Sequence, residues 1–163
     1  KKNIPAVLRG LAELRRRDGP QLHLVISGPE GRELMADLGL ASQLGLASYV
    51  STLPVVEEQD LPSLYPMASV APLLSPSEGF GLPVPAALAC GPPAVVPPSG
   101  SQREVAGERA FVADPDDAGQ VADALMAAVE QREELRYELG ERAAHYSWTR
   151  AAERVEELWE ELA

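Results

Sequence analysis

Ser75-Pro76-Ser77-Glu78-Gly79-Phe80-Gly81-Leu82-Pro83-Val84-Pro85-Ala86-Ala87-Leu88-Ala89-Cys90-Gly91 is the stretch whose reading decides the fold. It leaves an apolar, strand-like run, Val70-Ala71-Pro72-Leu73-Leu74, and enters an alanine-rich segment with strong helical propensity. Gly79 and Gly81 bracket Phe80, so the backbone can approach a ligand closely and adopt dihedrals closed to other residues. The N–H groups at the start of the following helix offer a site for an anion or for sugar hydroxyls. Glu78 stands at the carboxyl end of the strand, where open α/β sheets hold their ligands. Taken alone, these residues also describe an ordinary strand–glycine turn–helix.

Working outward, short apolar runs alternate with helical ones. Upstream, Ile4 to Leu14 repeats apolar residues at helical spacing, with Asn3 as an expected N-cap, Pro5 in the first turn and Arg15 to Arg17 at the negative end. Gly19-Pro20 stops it. Leu22 to Ile26 reads as a strand ending in Ser27-Gly28-Pro29, Arg32 to Leu44 as a helix, Tyr49 to Leu53 as a strand and Asp60 to Tyr65 as a short helix. His23 within the first of these strands reads as structural. Pro83 and Pro85 both fall in the first turn of the central helix, and its regular part is expected to begin at about Pro85. Downstream come a strand at Ala94 to Val96, a loop at Ser99-Gly100-Ser101, a short turn at Glu104-Val105 and a last strand at Ala110 to Ala113. Asp116 or Asp117 then caps a helix of about Ala118 to Glu130, followed by a second piece to about Tyr146 and a third from Thr149. Alternation of this kind builds βαβ units around a parallel sheet. The expected fold is therefore α/β, a Rossmann-like three-layer sandwich.

Composition narrows the function classes. The chain has 163 residues, enough for one well-formed core, and 45% of them are apolar. No apolar run approaches the roughly 18 residues of a membrane-spanning helix. Fourteen Lys and Arg stand against 25 Asp and Glu, a net charge of −11, which argues against a nucleic acid partner. The single cysteine, Cys90, allows no internal disulfide and fits a reducing, cytoplasmic setting. His23 and His145 lie far apart with no ligands at metal spacing, so no metal site is expected.

Glu78-Gly79-Phe80-Gly81-Leu82-Pro83 followed by Ala89-Cys90-Gly91-Pro92 resembles the signature of retaining GT-B glycosyltransferases of the family 4 type. That signature reads E-G-F-G-L-P-x-x-E-A-x-A-C-G-x-P. Lys2-Asn3, Ser27-Gly28-Pro29, Asp60 to Tyr65, Gly91 to Val105, Phe111 to Pro115 and Ser147-Trp148 are similar, in order, to further blocks of the same family. The resemblance implies a carboxyl-terminal, donor-binding domain over residues 1–163, with the amino-terminal acceptor domain absent. It also implies that the domain's first strand, which ends in Gly-Arg and is a central one, is missing. The strands at Leu22–Ile26 and Val70–Leu74 are then expected to have unpaired inner edges, and the carboxyl-terminal helices to wrap the edge of the sheet.

The same resemblance implies roles for single residues. Lys2 would hold the donor diphosphate and Glu78 the donor sugar, which makes these two the catalytic candidates. Gly28, Gly79, Phe80, Gly81 and Leu82 would complete donor binding. The second glutamate of the signature, which holds the ribose, is replaced by Ala86. When a nucleotide-diphosphate sugar breaks its bond to the diphosphate, charge develops on the leaving group, and an ammonium with oriented backbone N–H groups suits that charge without a metal or other cofactor. The expected partners are a nucleotide sugar and the missing amino-terminal domain. Two readings stand: an active glycosyltransferase whose ribose is held by other groups, or a weakened or non-catalytic nucleotide-sugar-binding module.

Overall fold

A computed structural model describes residues 2–162, so Lys1 and Ala163, at the ends of the expected domain, lie outside the described residues. Helix α1 (Ile4–Arg16) buries Ala6, Val7, Leu8, Gly10, Leu11 and Leu14, the apolar stripe set by its helical spacing. Asn3 precedes it but makes no side-chain cap. It takes left-handed dihedrals (φ 56°, ψ 42°), which asparagine tolerates better than most residues, and its carbonyl accepts the Ala6 N–H at 3.1 Å. At the other end the chain reverses at Asp18 (φ 55°). The Asp18 N–H donates to the Arg15 carbonyl and the Gly19 N–H to the Leu14 carbonyl, which is the Schellman pattern. The helix therefore ends where the cations and Gly19-Pro20 predict.

The chain then runs β1 (Leu24–Ser27), α2 (Arg32–Gln43), β2 (Val50–Leu53), α3 (Leu61–Leu64), β3 (Ala71–Pro72), α4 (Pro83–Cys90), β4 (Ala94–Val96), α5 (Ser101–Ala106), β5 (Phe111–Val112), α6 (Ala118–Ala144) and α7 (Trp148–Leu162). All strand pairings are parallel, as alternation of strands with helices requires. They form two sheets: β1 pairs with β2, and β3-β4-β5 form the other. Among the described residues no strand joins β1 to β3, which agrees with the expected unpaired edges. Pro72 fits this arrangement. Ala71 and Leu73 donate their N–H groups to Pro93 and Val95 of the β4 segment at 2.9 and 2.8 Å, so the donor that Pro72 lacks would have pointed to the other, unpaired edge.

Strand β4 divides the interior in two. Its side chains alternate between faces, and Val95 joins one apolar cluster while Ala94 and Val96 join another. The first cluster gathers α1, β1, Leu74 and the start of α6. The second gathers α4, α5 and the later part of α6. The sheet thus carries helices on both faces, the three-layer arrangement expected.

Helix α6 corrects one expectation. It is a single helix of 27 residues, about 40 Å long, where two pieces were expected. The junction at Glu130 to Glu134 contains neither Gly nor Pro, and the helix is tied at both ends of its length: Val121, Ala124, Leu125 and Ala128 enter the first cluster, Leu135, Leu139 and Ala143 the second. Helix α7 corrects another. It buries no residue, so it does not wrap the sheet. Helix α5 begins at Ser101, inside the segment expected to be loop.

Two stability tests follow from these contacts. Gly10 lies where α1 meets α6, and a Cβ there would stand 2.2 Å from Val121 Cγ1. Alanine is ordinarily better than glycine in a helix by about 1 kcal/mol. Here Gly10→Ala should instead destabilise, by about 1–3 kcal/mol, and adding Val121→Ala should recover part of the loss in a denaturant titration. The second test concerns Asp117, whose carboxylate caps α6 by accepting the N–H groups of Gly119 and Gln120 at 2.8 and 3.1 Å. Its pKa is held below the ordinary 3.8, by the bonds from Gln120 first and that from Gly119 after burial is set against them. A lowered folded-state pKa means that the stabilisation is present above 3.8 and is lost as the pH falls through the folded value. Asp117→Ala should therefore melt lower than wild type at neutral pH, and the two melting curves should converge in acid.

Candidate functional site

The segment after β3 is anchored before it reaches Glu78. Leu74 is fully buried, and so nearly is Ser75, whose hydroxyl donates to the Ser77 carbonyl at 3.4 Å. Glu78 then turns its side chain towards the amino-terminal segment. Lys2 Nζ donates to Glu78 Oε1 at 2.6 Å across 76 residues of sequence. The carboxylate side chain is 15% exposed and the lysine side chain 57%, so the pair sits at a surface, with the ammonium outward. The backbone of Glu78 is held as well: Ser101 Oγ, at the start of α5, donates to its carbonyl at 2.8 Å.

The loop Gly79 to Leu82 follows. Gly81 has φ 87°, a left-handed conformation that explains glycine here, and a Cβ at this position would also press on Gln102 Cγ at 3.0 Å. Gly79 has open space where a Cβ would lie. Among the described residues no protein acceptor takes the N–H of Gly79, Phe80, Gly81 or Leu82. Phe80 is half-exposed, with its ring in edge contact with Tyr146, 5.5 Å between centroids. Leu82 is exposed.

Helix α4 begins at Pro83, not at Pro85. The reason is an exchange of roles at its first turn. The Val84 N–H donates to the Gly81 carbonyl at 2.8 Å and the Ala86 N–H to the Leu82 carbonyl at 3.3 Å, so the first regular bond belongs to Ala86. Both prolines precede it, where no helical donor is needed and φ is already suitable. The same geometry corrects the expectation that the helix start offers free N–H groups. Pro83 and Pro85 have none, and that of Val84 is used. Donors remain only in the loop from Gly79 to Leu82.

The site residues predicted from sequence are thus partly brought together. Lys2, Glu78 and the loop form one cluster. Gly28 stands at the end of β1, its N–H donating to the Leu53 carbonyl at 3.2 Å and nothing within 4 Å of where a Cβ would be. Ala86 lies half-buried one turn into α4 and carries no polar group. Ser101, Gln102 and Tyr146 were not anticipated. Ser101 and Glu104 have the spacing of a helix start, S-x-x-E, and that signal would have revealed α5. His23, just before β1, has its Nε2 2.8 Å from Ser51 Oγ. Among the described residues no three His, Cys, Asp or Glu side chains gather as a metal site would require, and no helix is long and apolar enough to cross a membrane.

Residues 1–146 match the family model described as glycosyl transferases group 1. The chain is 34% identical to a D-inositol 3-phosphate glycosyltransferase of Corynebacterium jeikeium, over 99% of the chain and 41% of that protein. It is also 34% identical to O-antigen chain mannosyltransferase B of Escherichia coli, over 80% of the chain and 33% of that protein. Among solved structures, a sucrose-phosphate synthase from Thermosynechococcus elongatus superposes with a TM-score of 0.85 at 24% identity, covering 99% of this chain and 42% of that one. Anabaena HepE, solved with UDP and glucose, superposes at 0.71 with 20% identity, covering 85% and 38%. The chain therefore spans between a third and about two fifths of the length of these curated relatives.

One atom near the loop gives a test of its own. Gln102 is 4% exposed and its Oε1 has no hydrogen-bond partner. A buried acceptor left unpaired costs about 1–3 kcal/mol. Gln102→Met keeps the length of the side chain and its packing beneath Gly81 while removing that acceptor. The variant should melt above wild type by about 2–4 °C for each kcal/mol relieved.

Proposed function

We propose, for a chain that belongs to the glycosyl transferases group 1 family, that it is the donor-binding half of a GT-B enzyme and holds a nucleotide-diphosphate sugar for retaining transfer. The observation that carries this reading is the Lys2–Glu78 pair at 2.6 Å beside the loop amides without protein acceptors. An ammonium and a carboxylate drawn from opposite ends of the domain's first half meet at one surface. The ammonium suits a diphosphate, the carboxylate accepts sugar hydroxyls, and the N–H groups of Gly79 to Leu82 are oriented donors for oxygen atoms of either.

In this mechanism Lys2 and the loop amides stabilise charge as the sugar–phosphate bond breaks. Glu78 fixes the ring over the leaving group, so that much of the ordering entropy is lost on binding and not at the barrier. The acceptor and its domain come from the rest of a longer, cytoplasmic polypeptide. UDP in the HepE structure and the mannosyltransferase name of one relative suggest which donors to try.

A second reading, a weakened nucleotide-sugar-binding module, draws on one observation: Ala86 offers the ribose no carboxylate, and the helix start beneath it offers no N–H. Both readings are tested by titrating the full-length protein with UDP-glucose, UDP-N-acetylglucosamine and GDP-mannose, each beside its bare diphosphate. Glu78→Gln should weaken the nucleotide sugar and lower turnover by about tenfold to a thousandfold, with little change for the bare diphosphate. Equal losses for both ligands would mean that Glu78 serves the fold. Ala86→Glu should tighten the nucleotide by about tenfold to a hundredfold and create a preference for ribose over deoxyribose. If wild type already prefers ribose strongly and turns over, the weakened-module reading fails.

A further inference from the structure

The Ser99-Gly100-Ser101 turn has no part in the donor chemistry described above, yet it touches the loop that does. Ser101 Oγ donates to the Glu78 carbonyl at 2.8 Å from a part-buried position 23 residues away. Gly100, with φ 88°, delivers Ser101 to that place, and its own carbonyl accepts the Glu104 N–H at 3.2 Å, so the serine rides on the first turn of α5. The next residue, Gln102, packs against Gly81. One turn of helix thus meets the loop near both of its ends.

The consequence lies in the peptide between Glu78 and Gly79. The described chain has no cis peptide bond, and in a trans peptide the C=O and the following N–H point in opposite directions within one plane. A hydroxyl that holds the Glu78 carbonyl against α5 therefore aims the Gly79 N–H away from α5. Gly79 has no side chain and open space around it, so nothing at Gly79 itself resists rotation of this peptide. Rotated by half a turn, the peptide would present a carbonyl oxygen where an N–H had been. That would set a negative dipole end against a diphosphate or hydroxyl oxygen.

On this basis, and resting on the donor reading proposed above, we infer that Ser101 is a positioning residue: its hydroxyl locks the Glu78–Gly79 peptide so that the first amide of the loop faces the nucleotide sugar. It touches no substrate. Its action is on the direction of one dipole and on the backbone that carries the Glu78 carboxylate.

Threonine and valine have nearly the same shape and differ by the hydroxyl, so they separate the bond from packing. The measurement is affinity of the full-length protein for whichever of UDP-glucose, UDP-N-acetylglucosamine or GDP-mannose binds wild type, together with the melting temperature of each variant. Ser101→Val and Ser101→Ala should weaken the nucleotide sugar by about three- to tenfold, the range of one neutral hydrogen bond, and Ser101→Thr should bind within about twofold of wild type. Val and Thr variants that bind equally well, or equally badly, would overturn the inference, since shape and not the hydroxyl would then be at work. Should wild type bind none of the three nucleotide sugars or their diphosphates, the donor reading itself falls and this inference with it. Binding by wild type with no effect of the valine removes the inference alone.

Discussion

A missing methyl group in the middle of α1 governs how the amino-terminal segment meets the rest of the chain. Gly10 lets α1 lie so close to α6 that any Cβ would overlap Val121. The contact fixes α1 on the first face of the sheet, with Ala6, Val7, Leu8 and Leu11 in the same cluster as Val121, Ala124 and Leu125. Lys2 stands two residues before that helix. Its meeting with Glu78 therefore depends on where α1 is seated, and α1 is seated by α6. The ion pair itself, more than half exposed on the lysine side, contributes little to stability. It is a consequence of the packing and not its cause.

The loop at the site is held in a different way. Helix starts commonly supply the donors for an anion, and α4 is the helix placed to do so here. Its two prolines remove that possibility and leave the donors on irregular backbone between Gly79 and Leu82. Such backbone needs support from outside. Ser101 and Gln102 meet it from α5, and the ring of Phe80 meets Tyr146 just beyond α6. Tyr146 is in turn bonded by Arg142 Nη2 at 2.6 Å, and the same guanidinium reaches the carbonyls of Glu104 and Val105 at the end of α5. The loop, α5 and the end of α6 are thus one connected unit.

Most of the architecture was legible in the chain because its signals are local and strong. Apolar spacing marked α1, the strand–helix alternation marked a parallel sheet, and Asp117 marked the start of α6. The Glu-Gly-Phe-Gly-Leu-Pro run points to the site, and the separate roles given to Lys2 and Glu78 draw on a resemblance between distant blocks; their direct pairing is a finding of the structure. The failures have physical reasons. Pro85 was given too much weight because only the bond from Ala86 shows that neither proline displaces a donor. Two helical pieces are expected where α6 is continuous, because the two apolar clusters that hold it at either end are assembled from distant segments. Asn3 has the cap propensity expected of it, but the chain takes a left-handed turn there instead. The S-x-x-E spacing at Ser101 is a local sign of α5 that the loop expectation passes over, whereas the bond from Ser101 to the Glu78 carbonyl, 23 residues away, has no trace in local pattern.

Helix α7 has a consequence for spectroscopy. The chain contains two tryptophans, Trp148 and Trp159, and both lie on this helix, 82% and 75% exposed. Neither indole reaches the two apolar clusters that hold the sheet. Emission from this chain alone therefore reports water around α7, red-shifted from the start, and changes little when the clusters come apart. The same indoles are well placed as a reporter of anything that covers the helix, through a blue shift or protection from quenchers. Tyrosine absorbance or circular dichroism, not tryptophan emission, is the signal that follows unfolding of the sheet.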